Sequence, residues 1–212
     1  IWIIFPIIAL ITFVPFVSKL TTENSRLKKN YDLDQKFKKE NEILSFRRID
    51  IIYDMAFWLV IVWIIIIPAF IITGIFFHQI FIANSFNINL LFWSSNYLWY
   101  AISATLGSLF SGILIDKFSA HKVTSLSQLP MIISCCFLFN LNNQFSIILF
   151  FLFFGLASGM TPPVFNSLIA ERYGTKWLGE IKSLALPLTV FSSALSPSLL
   201  GFLIDKNFSI NN

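Results

Sequence analysis

Three short clusters hold the residue types that could do chemistry in this chain. His78-Gln79 supplies the only ionisable group embedded in a long apolar stretch, where an imidazole could relay a proton or hydrogen-bond a solute. Asp116-Lys117 and His121-Lys122 follow a second apolar stretch, and Glu171-Arg172 end another. An acid set among bases at a helix end suits a contact that is made in one conformation and broken in another. Asn166, with Asn96, Tyr97 and Gln128, adds neutral polar groups that could line a path or bridge helices.

Several other chemistries are poorly served. Cys135 and Cys136 are adjacent, so they point in different directions on a helix and read as small apolar packing residues. There is no HExxH, no Ser/His/Asp pairing and no Gly-rich phosphate loop, and the two histidines stand 43 residues apart. The residues therefore point to neither a metal nor a cofactor, and to no catalytic group.

The elements that position these clusters follow from composition. Of 212 residues, 56% are hydrophobic and only 12% charged, more apolar surface than a soluble domain of this size could hide. Five stretches reach the roughly 20 residues that a helix needs to cross a bilayer. They lie near Met55–Ala83, Ser94–Ile115, Val123–Leu141, Ser146–Ala170 and Ile181–Ile204. A sixth apolar run, residues 1–17, starts without Met and lacks the basic leader of a signal peptide, and reads as a truncated span. The tail, residues 205–212, is expected to lie outside, with the chain cut before a further helix.

Charge placement orders the crossings. Nine of the fifteen basic residues lie in the 18–54 segment, Lys117 and Lys122 lie between the second and third full spans, and Arg172, Lys176 and Lys182 lie between the fourth and fifth. The turns near 84–93 and 142–145 carry none. Because Lys and Arg are held on the cytoplasmic side, this pattern predicts a cytoplasmic 18–54 loop and leaves only Lys206 outside. The net charge of +4 is thus a topology signal and not a nucleic-acid footprint. Within the loop, the stretch from Asp34 to Leu44 predicts a short surface helix in a solvated linker with some affinity for lipid headgroups.

Prolines 68, 130, 162, 163, 187 and 197 fall inside four of the five spans, which predicts helices broken around a cavity. Ala101, Ala104, Ser108, Ser111 and Ile115 form a small-residue stripe, and Gly155-Leu-Ala-Ser-Gly159 is a GxxxG, both suited to close helix packing. Gly112-Ile-Leu-Ile-Asp116-Lys117 is echoed by Gly201-Phe-Leu-Ile-Asp205-Lys206.

The stretch Gly112-Ile-Leu-Ile-Asp116-Lys117-Phe-Ser-Ala-His121-Lys122 resembles the signature G-x-x-x-D-[RK]-x-G-[RK]-[RK] of the major facilitator superfamily. It keeps Gly112, Asp116 and Lys117, departs at Ser119 and Ala120, and meets the last basic position at His121 only when that ring is protonated. Gly155 to Gly174 is similar to the family's tenth helix, and Leu178 to Gly201 to its eleventh. Phe77-His78-Gln79 resembles bacterial permeases of this type, including ones near the monocarboxylate carriers.

The resemblance implies an all-α polytopic bundle, the C-terminal six-helix half of the fold. Residues 1–17 would be the family's helix six, 18–54 the central loop and 55–204 helices seven to eleven. It implies a secondary active or facilitative transporter of a small solute, working by alternating access in a bacterial inner membrane. Its partners would be the lipid bilayer, a small-molecule substrate and an N-terminal half of the same chain. Gly112, Asp116, Lys117, His121, Lys122, Glu171 and Arg172 would form a cytoplasmic gate, and His78, Gln79 and Asn166 a substrate or proton path. The alternatives are a non-transporting receptor or assembly subunit on the same fold and, less well supported by the residues, a membrane-embedded enzyme.

Overall fold

The computed structural model describes residues 46–206. The truncated span, the surface helix around residues 34–44 and the tail beyond Lys206 lie outside the described residues. A short α1 (Arg48–Ile52) precedes a π-helical turn (Phe57–Ile61) that runs into α2 (Trp63–Phe77). After a break at His78 come α3 (Gln79–Ser85) and α4 (Leu90–Ser95), then α5 (Tyr97–Phe118), α6 (Ala120–Leu138), α7 (Gln144–Tyr173) and α8 (Leu178–Asp205).

Among the described residues, four helical stretches are long and apolar enough to cross a membrane: Phe57–Phe77, Leu90–Phe118, Gln144–Tyr173 and Leu178–Asp205. The fifth expected span is the helix α6, whose buried side carries Thr124, Ser127 and Ser134 and is more polar than the others. The span expected from Ser94 starts earlier, at Leu90. Asn89 caps α4 by accepting the Leu91 N–H at 2.8 Å, and Trp93 is buried against Phe150 and Phe151.

α7 is the central helix. α5 and α6 pack along it, α2 pairs with α8, and a smaller α2–α7 contact joins the two groups. The α2–α8 pair runs parallel at a constant offset of 126 residues: Ser192 Oγ donates to Ile66 O at 3.1 Å and Ser196 Oγ to Phe70 O at 2.6 Å. The α5–α7 pair is also parallel. A side chain at Gly155 would collide with the Tyr100 backbone, and one at Gly159 with that of Ala104. The GxxxG is thus the closest approach of two spans. The small-residue stripe on α5 is rotated from its expected position: Ser103, Gly107 and Ser111 are buried, while Ala101 and Ser108 face outward.

The prolines do not break the helices. α2 runs on through Pro68, α6 through Pro130, α7 through Pro162 and Pro163, and α8 through Pro187 and Pro197. The discontinuities fall at His78 and near Asn96 instead. At Asn96 the side-chain Nδ2 takes Phe92 O at 2.7 Å while the backbone N–H turns to Trp93 O, and at His78 the ring Nδ1 shares Gly74 O, at 3.1 Å, with the residue's own backbone N–H.

Two cores result. One gathers Trp93, Phe150, Phe151 and Phe154 with Ile71 and Ile75, and the other gathers Ile51, Phe57, Ile61, Phe165, Leu168 and Tyr173. The second lies at the end where Arg47, Lys117, Lys122, Arg172 and Lys176 collect, called the basic end below. Cys135 is buried and Cys136 exposed, as expected of neighbours on a helix.

Candidate functional site

At the basic end, α5 passes to α6 through the single residue Ser119. Its φ of 72° and ψ of 151° lie in a region that essentially only glycine occupies without strain. This is the position at which the signature calls for glycine. The next residue, Ala120, is fully buried, and its N–H donates to Glu171 Oε1 at 2.7 Å. Glu171 therefore satisfies a free donor at the start of α6 from a different helix, and its charge suits the positive end of that helix dipole.

Arg172 turns to the other side. Its guanidinium meets Asp54 Oδ2 at 3.5 Å, the one ion pair among the described residues. Tyr173 Oη donates to the same oxygen at 2.6 Å, and Asp54 Oδ1 accepts the Ala56 N–H at 2.8 Å, capping the helix that follows. Phe46 N–H donates to Tyr173 O at 3.0 Å, and the two rings meet edge to face. Asp54 thereby ties the start of the first described span to the end of α7. Gly174, at φ 82°, then ends α7 in a conformation that favours glycine.

The expected gate residues are thus only partly joined. Glu171 and Arg172 are neighbours in sequence but serve different partners. Asp116 and Lys117 are exposed, and Asp116 makes no ion pair among the described residues. Lys122 is also exposed. Lys117 lies in the last turn of α5, where a cation suits the dipole. The Nδ1 atom of His121 is buried with no hydrogen-bond partner among the described residues. Burial first, and the nearby Arg172 guanidinium second, pull the His121 imidazole down from 6.5 to about 4. The ring is neutral near pH 7, so the last basic position of the signature carries no charge here. Gly112 is half-buried, and among the described residues nothing lies within 4 Å of where a side chain would start.

A second polar cluster lies at the opposite end, beside the break at His78. Gln79 Oε1 accepts a hydrogen bond from Tyr97 Oη. Tyr100 Oη donates to Ser158 Oγ at 2.8 Å. Phe76, Phe151 and Phe154 surround the two tyrosines. With Nδ1 of His78 donating to a carbonyl, its Nε2 is the nitrogen left as acceptor in the neutral ring. A side chain at Gly201 of α8 would come within 3.8 Å of that Nε2. Asn166 is not part of this cluster: it is exposed on α7 and is flanked by Phe165 and Leu168 of the basic-end core.

Asp54 and Tyr173 were not apparent from the sequence as functional residues. The available signals were an acid just ahead of the first apolar run and a Tyr-Gly pair just after Glu171-Arg172.

The family profile described as Major Facilitator Superfamily matches residues 1–197. The chain belongs to the major facilitator superfamily. No curated protein and no solved structure matches it. Membership agrees with the apolar helices in making this major facilitator protein an integral, multi-pass membrane protein in contact with the bilayer. The family's members are membrane transporters, which fits the absence of a catalytic constellation in the sequence. The open space beside Gly112 and the exposed Asp116 lie on the helix that carries the superfamily signature.

Proposed function

We propose that the chain supplies the second half of a secondary or facilitative transporter that moves a small solute by alternating access. The observation that carries this reading is the uneven cover of the spans. In Phe57–Phe77 and Gln144–Tyr173, 50% of the most apolar window is buried, but in Leu90–Phe118 and Leu178–Asp205 only 17% is. Among the described residues two spans of the four are left open, and α5 turns Ala101, Thr105 and Ser108 outward on its open side. A second helical half packed on α5 and α8 would cover those faces and place a solute between the halves.

In this reading the basic end is cytoplasmic, in a bacterial inner membrane, and Gly112, Asp116 and Lys117 meet the other half when the carrier is closed on that side. Glu171, Arg172, His121 and Lys122 hold the near side of the gate, with Asp54 and Tyr173 as its anchors. His78 and Gln79 border the solute path at the other end, and Asn166 faces it closer to the gate. The likeness of Phe77-His78-Gln79 to permeases near the monocarboxylate carriers favours a small carboxylate or a comparably polar solute.

The test is uptake of a panel of labelled solutes into vesicles that contain the full-length protein, with and without a pH gradient. Uptake of one solute class, lost in Asp116→Asn, supports the proposal. Saturable binding without uptake in tightly sealed vesicles would replace it with a receptor.

A further inference from the structure

We propose that the basic end carries a binding site for the headgroup of an anionic phospholipid, built from Arg47, Lys176 and Trp177 and seated by the apolar residues around α1. The proposal rests on membership of a membrane family and does not depend on transport.

The first observation is a set of apolar side chains left uncovered beside a span. In α1, Ile51 is fully buried in the basic-end core and fixes the helix to the bundle. Its neighbours are not covered: Ile49 is 68% exposed, Tyr53 81% and Met55 67%. Ile52 is exposed as well, and its carbonyl accepts the Trp58 indole N–H at 2.9 Å, which holds α1 against the start of the span. These groups stand only a few residues before Phe57, where the span begins. At that level the neighbouring medium is the boundary between headgroups and acyl chains, where apolar side chains and an amphipathic Tyr are stabilised.

The second observation is a concentration of charge at the same place. The Arg47 guanidinium lies 5.2 Å from the centre of the Trp177 ring and the Lys176 ammonium 5.6 Å from it. Both cations stand over one indole, and among the described residues neither forms an ion pair with a carboxylate. Arg48 adds a third exposed cation on α1. Of the acids nearby, Asp50 accepts the Arg47 backbone N–H at 2.9 Å and Asp54 is taken by Tyr173 and Arg172, while Glu180, exposed in the first turn of α8, forms no ion pair among the described residues and leaves the three cations in excess. A phosphate at Trp177 would neutralise this charge and accept charge-assisted hydrogen bonds from the two side chains.

Together these observations favour a lipid over a free anion. A soluble phosphate would match the charges and leave Ile49, Ile52, Tyr53 and Met55 in water. A phospholipid satisfies both, with its phosphodiester at Trp177 and its acyl chains along α1 and the start of α2. Because Phe46 N–H bonds Tyr173 O, the same lipid would brace the segment from residue 46 to Asp54 against the end of α7.

The test uses the full-length protein, purified in detergent and stripped of lipid, with retention of phosphatidylglycerol and phosphatidylcholine read by native mass spectrometry. The wild type is expected to retain phosphatidylglycerol preferentially. Arg47→Gln combined with Lys176→Gln should weaken that retention by about tenfold or more, the loss expected for two basic groups at a charged surface. Lys117→Gln combined with Lys122→Gln removes the same charge from the same end and should change it by less than about twofold, since diffuse surface charge is not the site. Lys176→Gln alone, on an exposed turn residue, gives an intermediate loss and guards against misfolding of the double variant. Equal retention of the two lipids, equal losses in the two double variants, or full displacement by excess inorganic phosphate would each overturn the proposal.

Discussion

The carboxylate of Asp54 and the phenol of Tyr173, 119 residues apart in the chain, meet at 2.6 Å and lock the start of one span to the end of another. The bond is partly buried and shares its acceptor oxygen with Arg172. Removing either partner leaves the other without its hydrogen bond. Tyr173→Phe and Asp54→Asn are each expected to lower stability by about 1–2 kcal/mol. The double variant should lose less than the sum of the two, a coupling read by thermal unfolding in detergent in a double-mutant cycle.

Glu171 caps the start of α6. Glu171→Ala removes the acceptor for the Ala120 N–H and should cost about 1 kcal/mol, while Glu171→Gln, which keeps an oxygen in place, should cost less. If both substitutions leave the unfolding midpoint unchanged, the bond to Ala120 contributes nothing to stability.

Ser119 holds a backbone conformation suited to glycine. Ser119→Gly restores the signature residue and should stabilise the protein by about 1 kcal/mol, visible as a higher melting temperature. A lower melting temperature would show that the Ser119 side chain contributes more than its strain costs.

His121 sets a pH dependence. Its folded pKa, about 4, is below the ordinary 6.5, so the unfolded chain binds the proton more readily. The contribution to stability is flat above pH 6.5 and falls as pH drops from 6.5 towards 4. His121→Gln should flatten the stability profile in that window relative to wild type, measured as melting temperature against pH.

Gly159 marks the tightest approach of α5 and α7. Gly159→Leu would drive a side chain into the Ala104 backbone and should cost more than about 3 kcal/mol or abolish folding. Gly112→Leu meets open space among the described residues and should leave the melting temperature unchanged. On the proposed function it should still slow transport, by obstructing the other half.

How much of this was legible in the sequence depended on how far apart the causes lie. Hydropathy and Lys/Arg placement are local properties, so the spans and the alternation of basic and non-basic turns could be read directly. The GxxxG at Gly155 and Gly159 was legible for the same reason, because close packing needs small residues at a fixed step. The azimuth of α5 was legible only in part: the step between Ala101, Ala104, Ser108 and Ser111 is helical, but the sequence does not say which side meets α7, and the contact keeps Ala104 and Ser111, adds Ser103 and Gly107, and leaves Ala101 and Ser108 outside. Proline gave the wrong break points because the helices continue past it, whereas the breaks fall at His78 and near Asn96, whose side chains bond carbonyls four residues back. In the site, Glu171 and Arg172 were found from their place at a helix end. Their partners Ala120 and Asp54 lie 51 and 118 residues away, and only the folded packing brings them together.

The constant offset between α2 and α8 has a consequence for motion. Ser192 and Ser196 stand four residues apart, as do the carbonyls of Ile66 and Phe70 that receive them. A small axial slide of one helix along the other breaks both bonds and makes none. A slide of one full turn, about 5.4 Å, brings one serine to the other's acceptor and restores half of the pairing. As far as these two bonds go, a slide of one turn is therefore favoured over any smaller one.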